Sequence, residues 1–520
     1  MNGAQSLIRT LVDSGVDVCF MNPGTSEMHF VAALDQVPEM RSVLALFEGV
    51  ATGAADGYAR MADRPAATLL HLGPGLGNGL ANLHNAHRGR TPIVNIVGDH
   101  ATYHEQYDAP LQSDILTVAR NVSSWIGVPR TPDEVAPAAA EAVAAAIGPP
   151  GQVATLILAA DTAWLDAKGA AAPAPRRAPN EVAAATVADV AKVLQSGEPA
   201  ALLLGGSAVR DERALTAAAR VAHACGAKLL CETFPARLLR GAGIPPVERL
   251  GYLSEFAAAQ MNGLRHLVLV DAKAPVSFFA YPEKPSYLVP DGCDVHPLAA
   301  PGDDAPHALD ALADAVGAGA GTAPTAAASR PARPTGALTG ETVAAAVGAL
   351  LPENAVVVDE ANTQGLWLSA ATAGAPRHDW LCLTGGAIGF GLPAATGAAV
   401  ASPDRKVVCL EADGSAMYTI QALWTQAREG LDVTTVILDN RSYAILNLEL
   451  NRVGAEPPGP RAKAMLELAP PELDFVSIAN GLGVRATRAT TAEEFTTQLE
   501  AALQTDGPAL VQAVLPSGLG

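Results

Sequence analysis

The stretch Glu411-Ala412-Asp413-Gly414-Ser415, followed later by Leu438-Asp439-Asn440-Arg441-Ser442, decides the predicted fold. The first segment follows the apolar run 407–410, and the second ends the apolar run 433–438. Asn440 comes 27 residues after Asp413, about the length that two parallel strands and a crossover helix need. Both side chains are therefore predicted at one carboxyl edge of a parallel sheet, where open α/β folds bind ligands.

The chemistry of these residues favours a metal and a phosphate. An Asp carboxylate, an Asn amide oxygen and a nearby backbone carbonyl are hard oxygen donors of the kind that suits Mg²⁺. Gly414 lets the backbone approach a phosphate, and Ser415 can cap the next helix and donate to the same anion. Taken alone, the segment is equally typical of two ordinary strand-end turns.

Length and composition predict a large protein with an acidic surface. Its 520 residues are enough for about three domains. Apolar residues make up 49% and aromatic residues 4%, so the cores must rest on Ala, Val and Leu. The net charge is −19 and no Lys/Arg-rich block occurs, which argues against nucleic acid or an anionic membrane as a partner.

Other sequence features predict a cytoplasmic location. The six cysteines are scattered and form no CxxC pair, as expected for free thiols in a reducing compartment. The N-terminus lacks a basic n-region, so no signal peptide is predicted. No uncharged apolar stretch has the length needed to span a bilayer.

Two low-complexity stretches, residues 167–179 and 317–336, divide the chain into three blocks. Each block alternates short apolar runs with helical patterns, which predicts an α/β fold of three doubly wound parallel-sheet domains. The predicted boundaries are a first domain at 1–166, a central domain at 180–316, a linker at 317–336 and a third domain at 337–520. The predicted strands are residues 18–21, 43–46, 67–70, 93–97, 200–204, 228–230, 266–270, 355–358, 406–410 and 433–438.

Two ionisable residues follow strands in the first block. Glu48 comes after the second predicted strand and opens a helix of small residues; its alternative role is to complement the helix dipole. His71 ends the third predicted strand, where an imidazole can act as acid or base, although a purely structural histidine is a common alternative. The glycine-rich stretch 72–79 also suggests a nicotinamide-dependent dehydrogenase. Pro74 and the lack of an acidic ribose ligand argue against that alternative.

Further polar residues follow strands in both outer blocks. The turn Asn22-Pro23-Gly24-Thr25-Ser26-Glu27 leads from a strand into a helix, with Thr25 or Ser26 free to cap it. Asn362 and Thr363 follow the first predicted strand of the third block.

Together these residues resemble the thiamine diphosphate-dependent family of acetolactate synthase, pyruvate decarboxylase and benzoylformate decarboxylase, over nearly the whole chain. The resemblance implies a pyrimidine-binding first domain and a diphosphate-binding third domain. It places the Mg²⁺ ligands on Asp413, Asn440 and the carbonyl of Ser442, although Ala412 and Asp439 depart from the usual Gly and Asn. The implied cofactor contacts are Asn362, Thr363, Gly386, Ile388, Gly414, Ser415 and Tyr443.

Two of these resemblances carry a chemical role. Ile388 matches the apolar side chain that holds the cofactor bent beneath its thiazolium ring. Glu48 matches the glutamate that activates the cofactor, because a carboxyl group at N1′ of the aminopyrimidine assists removal of the C2 proton. That loss turns the cofactor into an electron sink for decarboxylation.

Within the family the chain is most similar to benzoylformate decarboxylase. The turn at 22–25 resembles its Asn-Pro-Gly-Ser turn, with Thr25 in place of the serine, and His71 resembles its strand-end histidine. Its second histidine has no match in the segment 278–281, and its apolar pocket positions become Ile445, Leu446 and, further on, Glu449. The class of substrate side chain therefore stays open. The central block shows no flavin contacts, so FAD is not predicted.

The predicted function is non-oxidative decarboxylation of a 2-oxo acid to an aldehyde, with Glu48, His71 and Thr25 as catalytic residues. An acetolactate synthase-like carboligase is the alternative. A non-catalytic cofactor-binding paralog is a third possibility, which Glu48 opposes and Asp439 supports. Because Glu48 and Asp413 lie on different blocks, the resemblance implies a homodimer or homotetramer with active sites at the subunit interface.

Overall fold

The computed structural model describes residues 1–319, 323–455 and 457–517. Three mainly parallel sheets of six, five and seven strands follow one another along the chain. The predicted α/β class with three sheet-based units is therefore confirmed. No helix in these ranges is both long enough and apolar enough to cross a membrane.

The first sheet is entirely parallel and has the strand order β2-β1-β3-β4-β6-β5. Its strands are β1 Val18–Asn22, β2 Arg41–Leu44, β3 Ala66–Leu70, β4 Ile93–Asp99, β5 Trp125–Gly127 and β6 Val153–Ala159. Its helices are α1 Gly3–Asp13, α2 Met28–Ala33, α3 Glu48–Ala62, α4 Leu72–Gly89, α5 Ile115–Ala119, α6 Pro132–Ile147 and α7 Ala160–Trp164. The carboxyl ends of β1, β3 and β4 meet at one edge, which carries Thr25 and His71.

The central sheet is also parallel, with the order β10-β8-β7-β11-β12. The helices and strands of this part of the chain are α8 Ala184–Leu194, β7 Ala200–Leu204, α9 Ser207–Arg210, α10 Glu212–Cys225, β8 Lys228–Cys231, β9 Leu238–Arg240, β10 Glu248–Arg249, α11 Ser254–Met261, β11 His266–Val270, β12 Asp294–Ala299 and α12 Ala305–Ala315. The strand β9 does not belong to this sheet. It runs antiparallel to β14 at the edge of the third sheet and ties the central part of the chain to it.

The third sheet has the order β17-β18-β16-β15-β13-β14-β9. Its further elements are α13 Gly340–Leu350, β13 Val356–Glu360, α14 Leu368–Ala371, β14 His378–Cys382, α15 Gly391–Ala401, β15 Val407–Ala412, α16 Asp413–Thr419, α17 Ala422–Glu429, β16 Val433–Asp439, α18 Ala444–Arg452, α19 Pro460–Ala464, α20 Phe475–Gly481, β17 Arg485–Ala489, α21 Ala492–Leu503 and β18 Ala509–Val514. Its central strands β15 and β16 carry Asp413 and Asn440 at their carboxyl ends.

All ten predicted strands are present, and one of them is shifted by two residues along the sequence. The second lies at Arg41–Leu44 instead of 43–46, because the chain leaves the sheet early to begin α3 at Glu48. Of the predicted linker, residues 320–322 lie outside the described residues. Its later part lies on the third domain, where Arg330 donates to the carbonyls of Ala349 and Leu351 at 2.6 and 3.0 Å.

The first and third domains pack through α3 and α15 at backbone distance. A Cβ atom on Gly57 would overlap the backbone of Ala394, and one on Gly397 would overlap the carbonyl of Ala54. Only glycine permits such an approach without moving a helix. This packing fixes the amino-terminal end of α3, and therefore Glu48, relative to the loop that precedes α15.

Arg60 joins three parts of the chain from a buried position in α3. Its guanidinium pairs with Asp56 at 2.8 and 2.6 Å and lies 4.7 Å from the ring centre of Phe390. It also donates to the carbonyls of Cys382 and Ala236 at 2.7 and 3.1 Å. These contacts link α3 to the end of β14 and to the segment before β9.

Replacing Arg60 by alanine is expected to lower the free energy of unfolding by about 3–5 kcal/mol, because the Asp56 carboxylate loses its buried partner. Urea unfolding measures the change. The matched control is Arg9→Ala, which breaks an exposed pair with Glu39 and should cost no more than about 1 kcal/mol. Equal costs for the two variants would show that Arg60 does not join the domains.

Candidate functional site

Three predicted site residues lie together at the carboxyl ends of β15 and β16. These strands are parallel neighbours, with Ala412 opposite Leu438. Oδ2 of Asp413 accepts the N–H of Arg441 at 2.6 Å, and Oδ1 of Asn440 accepts the N–H of Ser442 at 3.0 Å. The structure therefore brings Asp413, Asn440 and Ser442 to one point of the sheet edge.

A second carboxylate lies beside Asp413. Asp413 and Asp439 are both buried, and burial together with the Asp439 carboxylate raises the pKa of Asp413 to about 7. In residues 1–319, 323–455 and 457–517, neither carboxylate pairs with a Lys or Arg side chain. A divalent cation would relieve this repulsion, and the oxygen donors present fit Mg²⁺.

The oxygen donors at Asp413, Asn440 and Ser442 differ from a metal site that is built only from side chains. No group of three His, Cys, Asp or Glu side chains that could hold a metal ion occurs in the described part of the chain. The Asp413 set combines one carboxylate with an amide and a backbone carbonyl. Such a set leaves coordination positions for water and phosphate oxygens, as Mg²⁺ commonly requires.

The predicted diphosphate contacts surround Ser415. Nδ2 of Asn362 donates to Oγ of Ser415 at 3.0 Å, and Thr363 follows in the same 3₁₀ turn, Asn362–Gly365. Asn362 and Arg441 have φ angles of 49° and 57°. Such left-handed conformations are uncommon outside glycine and concentrate at functional sites.

The roles of Gly414 and Ser415 in the structure differ in detail from those that the sequence predicts. A Cβ atom on Gly414 would overlap the ring of Tyr443, so this glycine also makes room for an aromatic side chain of the same chain. Ser415 lies inside α16, whose first turn has no side-chain cap. The expectation that Ser415 caps a helix is therefore wrong, and its hydroxyl instead accepts from Asn362.

The loop with Gly386 and Ile388 is held from both sides at Gly389. The N–H of Gly389 donates to Oε1 of Glu360 at 2.9 Å. Its carbonyl accepts from Nδ2 of Asn82 at 3.1 Å and from Oγ1 of Thr419 at 3.0 Å. Ile388 packs against the core that the first and third domains share. The loop is therefore fixed beside the site.

Glu48 lies at the first position of α3, buried against α4. Its Oε2 accepts from Nδ2 of Asn78 at 3.0 Å, and Gly75 leaves room for its Oε1. Nδ2 of Asn82 donates both to the carbonyl of Gly49 at 2.8 Å and to that of Gly389. The Asn82 amide therefore bridges the helix that begins at Glu48 and the loop that contains Ile388. A glutamate that only complements a helix dipole would not need this bridge.

His71 has a buried carboxylate partner that the sequence predictions did not include. Nδ1 of His71 lies 2.8 Å from Oε2 of Glu27, and the same oxygen accepts the N–H of Gly24 at 2.7 Å. Burial raises the pKa of Glu27, which the bonds from Gly24 and His71 oppose. The spacing of Glu27 three residues after the turn glycine is the available sequence signal, because it is typical of a capping box.

Two neighbouring residues complete this end of the first sheet. Gly98 in β4 makes room for Glu27, because an added Cβ atom would overlap its carboxylate. Thr25 is exposed in the 3₁₀ turn Thr25–Glu27 and does not cap it, because the side chain of Glu27 fills that role. Thr25, Glu27 and His71 therefore form one cluster at the carboxyl edge of the sheet.

The predicted site residues form two separate groups in the single chain. The first group contains Thr25, Glu48 and His71 on the first domain. The second group lies on the third domain and contains Asp413 and Asn362 with their neighbouring site residues. Among the described residues, no hydrogen bond or ion pair joins the two groups. The two groups are linked indirectly within one chain, because Nδ2 of Asn82 donates to the carbonyl of Gly49 in the Glu48 helix and to that of Gly389 in the Ile388 loop.

The central sheet has a ligand crevice that the chain fills itself. Strand order reverses between β7 and β11, and open α/β sheets bind ligands at such switch points. Oδ2 of Asp271 accepts the N–H and the hydroxyl of Ser207 at 2.8 and 2.9 Å, and Arg90 pairs with its other oxygen. Asp271 therefore already engages the donors at this switch point.

A cavity of about 300 Å³ adjoins this crevice between the first and central domains. Five arginines line it, but each pairs with a carboxylate. The pairs are Arg60–Asp56, Arg64–Asp17, Arg90–Asp271, Arg210–Asp63 and Arg237–Asp379. The cavity therefore offers no uncompensated positive charge to an anionic ligand.

Comparisons with known proteins agree with the geometry of both outer domains. A profile for the N-terminal TPP binding domain of thiamine pyrophosphate (thiamine diphosphate) enzymes matches residues 1–119. The profile for the C-terminal TPP binding domain of these enzymes matches residues 363–513.

Relatives and solved structures match over the full length. The IlvX protein of Mycobacterium tuberculosis (strain H37Rv), provisionally named an acetolactate synthase large subunit, is 63% identical over 100% of both chains. Benzoylformate decarboxylase of Pseudomonas aeruginosa (strain PAO1) is 30% identical over 96% of both chains. The structure of a thiamine diphosphate-dependent 4-hydroxybenzoylformate decarboxylase from Rhodococcus jostii RHA1 covers 100% of both chains at a TM-score of 0.87 and 25% identity. The chain belongs to the thiamine diphosphate-dependent enzymes related to acetolactate synthase and benzoylformate decarboxylase.

Proposed function

We propose that this chain is a thiamine diphosphate- and Mg²⁺-dependent enzyme that decarboxylates a 2-oxo acid without oxidation and releases an aldehyde. The observation that carries the proposal is the Glu27–His71 pair beside Thr25. A histidine oriented by a buried carboxylate is suited to proton transfer, and aldehyde release requires protonation of a carbon atom. The likeness to benzoylformate decarboxylases supports the same reaction.

The third domain would hold the cofactor by its diphosphate. Asp413, Asn440 and the carbonyl of Ser442 would bind Mg²⁺, and Asn362, Thr363, Gly414 and Ser415 would contact the phosphates. Gly386, Ile388 and Tyr443 would contact the rest of the cofactor. When bound, thiamine diphosphate supplies the electron sink that accepts the electron pair left by CO₂.

The first domain would supply the proton-transfer groups. The Glu48 carboxyl, which Asn78 orients through a hydrogen bond, would share a proton with N1′ of the aminopyrimidine. Glu27 orients the imidazole of His71 through Nδ1, which leaves Nε2 for the reacting group. The exposed hydroxyl of Thr25 donates to the substrate carboxylate.

Alanine substitutions of Glu27 and His71 are expected to be strongly non-additive. Each single variant should lower kcat by about 10²-fold, and the double variant should be no slower than His71→Ala, because the carboxylate acts through the imidazole. Steady-state CO₂ release measures the rates, and melting temperatures confirm folding. If the fold-loss of kcat in the double variant equalled the product of the two single losses, Glu27 would act independently of His71.

A second candidate is an acetolactate synthase-like carboligase, which the name of the 63% identical relative favours. The test is CO₂ release from pyruvate, benzoylformate, phenylpyruvate and branched-chain 2-oxo acids, without added flavin, with the products resolved. Aldehyde in equal amount to CO₂ supports the decarboxylase. Acyloin or acetohydroxy acid supports the carboligase, and cofactor binding without CO₂ release supports a non-catalytic paralog.

We also propose a homodimer or homotetramer with active sites at the subunit interface. Membership of the thiamine diphosphate-dependent family supports this assembly, because its enzymes commonly form oligomers. Mixing Glu48→Gln chains with Asp413→Ala chains should restore part of the lost activity, since a hybrid dimer regains one intact site. Light scattering before and after mixing gives the subunit number. A fully active monomer would contradict the proposal.

A further inference from the structure

Two buried carboxyl groups lie against the loop that contains Ile388, and the proposed reaction uses neither of them. Glu360 ends β13 and Glu411 lies in β15, directly opposite each other in these neighbouring parallel strands. The two residues are 1% and 0% exposed. In the described parts of the chain, neither forms an ion pair with Lys, Arg or His. Because burying an ionisable group without a cation is unfavourable, this pair needs an explanation.

Glu360 accepts the backbone N–H groups that begin α15. The N–H of Gly389 donates to its Oε1 at 2.9 Å, and the N–H of Gly391 donates to its Oε2 at 2.5 Å. The N–H of Phe390 also donates to this carboxyl group. No side chain caps α15 at Phe390, and N–H groups at a helix start have no partner within the helix. Since both of its oxygens accept, Glu360 is the charged member of the pair, which the helix start favours.

Glu411 donates the hydrogen bond that joins the two carboxyl groups. The side chains of Glu360 and Glu411 hydrogen-bond to each other, which requires a proton on one of them. Oε1 of Glu411 is buried and accepts from no donor among the described residues. Its other oxygen lies 3.6 Å from Sγ of Cys409, and the carboxyl group also accepts the N–H of Leu392. The shared proton therefore lies on Glu411.

The pair connects three segments of the proposed cofactor site. Glu360 comes two residues before Asn362, and Glu411 comes two residues before Asp413. The loop bonded to Glu360 includes the residue that follows Ile388. A change in the pair would therefore move Ile388 relative to the strand ends that carry Asn362 and Asp413.

We propose that Glu360 and Glu411 act as one carboxylate–carboxylic acid pair that positions Ile388 against the cofactor. Glu360 holds the loop through its backbone N–H groups, and Glu411 holds Glu360 through the shared proton. Neither side chain touches the cofactor or the substrate, so both are positioning residues. This inference rests on the proposed function, because it is there that Ile388 contacts the cofactor.

The first variant replaces the acceptor. In Glu360→Gln an amide N–H₂ group faces the loop N–H groups, so at least one of their hydrogen bonds is lost and Ile388 shifts. The kcat for CO₂ release should fall on the order of 10–100-fold, since a displacement of about 1 Å can cost this much. Thiamine diphosphate should still bind in titration calorimetry, because the residues around Asp413 are unchanged. Near-ultraviolet circular dichroism of the bound cofactor should change, because its surroundings change.

Variants of Glu411 test the donor. Glu411→Leu removes the donor and should lower kcat and change the circular dichroism of the bound cofactor. Glu411→Gln should recover most of both, because its amide N–H donates to Glu360 in place of the shared proton. A residue that only fills space would give the opposite order, since leucine suits an apolar interior better than glutamine does.

Gly391→Ala gives a second approach that keeps both carboxyl groups. Alanine favours a helix over glycine, but a Cβ atom on Gly391 would overlap Oε2 of Glu411. This variant should therefore change the same two quantities as Glu360→Gln. The control is Glu353→Gln, an exposed position before β13, which should change neither. Melting temperatures show which variants fold.

Unchanged kcat and circular dichroism in Glu360→Gln would overturn the positioning role, and Gly391→Ala decides in the same way if Glu360→Gln does not fold. Equal losses in Glu411→Gln and Glu411→Leu would also overturn it. Loss of activity in Glu48→Gln alone would leave the proposed function intact. If the cofactor binds but no 2-oxo acid releases CO₂, the proposed function fails, and circular dichroism still decides this inference. If no cofactor binds, both fail.

Discussion

Replacing Glu48 by glutamine is expected to lower the rate of CO₂ release by about 10²–10⁴-fold, the usual contribution of a positioned acid or base. Glutamine keeps the size of the side chain and can still accept the hydrogen bond from Asn78. It cannot exchange a proton with the aminopyrimidine. Steady-state kinetics at saturating thiamine diphosphate and Mg²⁺ measure the loss, and calorimetry shows whether the cofactor still binds.

The matched control is Glu341→Gln. Glu341 also lies in the first turn of a helix, α13, but is exposed. Neutralising it should cost at most about 1 kcal/mol of stability and leave the rate unchanged. If Glu48→Gln behaved in the same way, Glu48 would be no more than a helix-terminal charge.

Replacing Asp413 by alanine is expected to weaken cofactor binding by at least about 10²-fold, by comparison with losses known for residues that only support metal ligands. The variant loses the only carboxylate proposed to bind Mg²⁺ directly. Titration calorimetry with thiamine diphosphate, with and without Mg²⁺, measures the change. The unmodified protein should show a strong Mg²⁺ dependence, and Asp413→Ala should show almost none.

The control is Asp439→Asn, at the carboxylate beside Asp413, for which the expected change in cofactor binding has the opposite direction. It removes a negative charge beside the diphosphate site, while asparagine can still accept from Gln512. Binding should therefore stay equal or become tighter, since like-charge repulsion is reduced. Weaker binding in Asp439→Asn than in Asp413→Ala would mean that Asp439 is the metal ligand.

The sequence predicts the parts of the fold that depend on local pattern. Short, mainly apolar runs identify ten strands, and the spacing of Asp413 and Asn440 identifies neighbouring strands β15 and β16. Strand β6 is also a plain apolar run that could have been recognised. Strands such as β9, β10 and β17 could not, because they are very short or mainly polar and form only against a partner.

Contacts between distant segments account for what the sequence does not predict. Glu27 meets His71 only because β1 and β3 are adjacent and Gly98 leaves space. Asn82 bridges Gly49 and Gly389 only once α3, α4 and α15 have packed. Asp271 occupies the central crevice through Ser207 and Arg90, which lie far apart in the chain. None of these pairings leaves a periodic pattern.

The most direct measurement follows CO₂ release by protein that has been stripped of cofactor and then reconstituted. Thiamine diphosphate is added stepwise in the presence or absence of Mg²⁺, with the 2-oxo acid panel as substrate. CO₂ release should be absent from the stripped protein and rise in proportion to bound cofactor only when Mg²⁺ is present. Failure of the stripped protein to bind thiamine diphosphate at all, with its fold intact, would contradict the account at its centre.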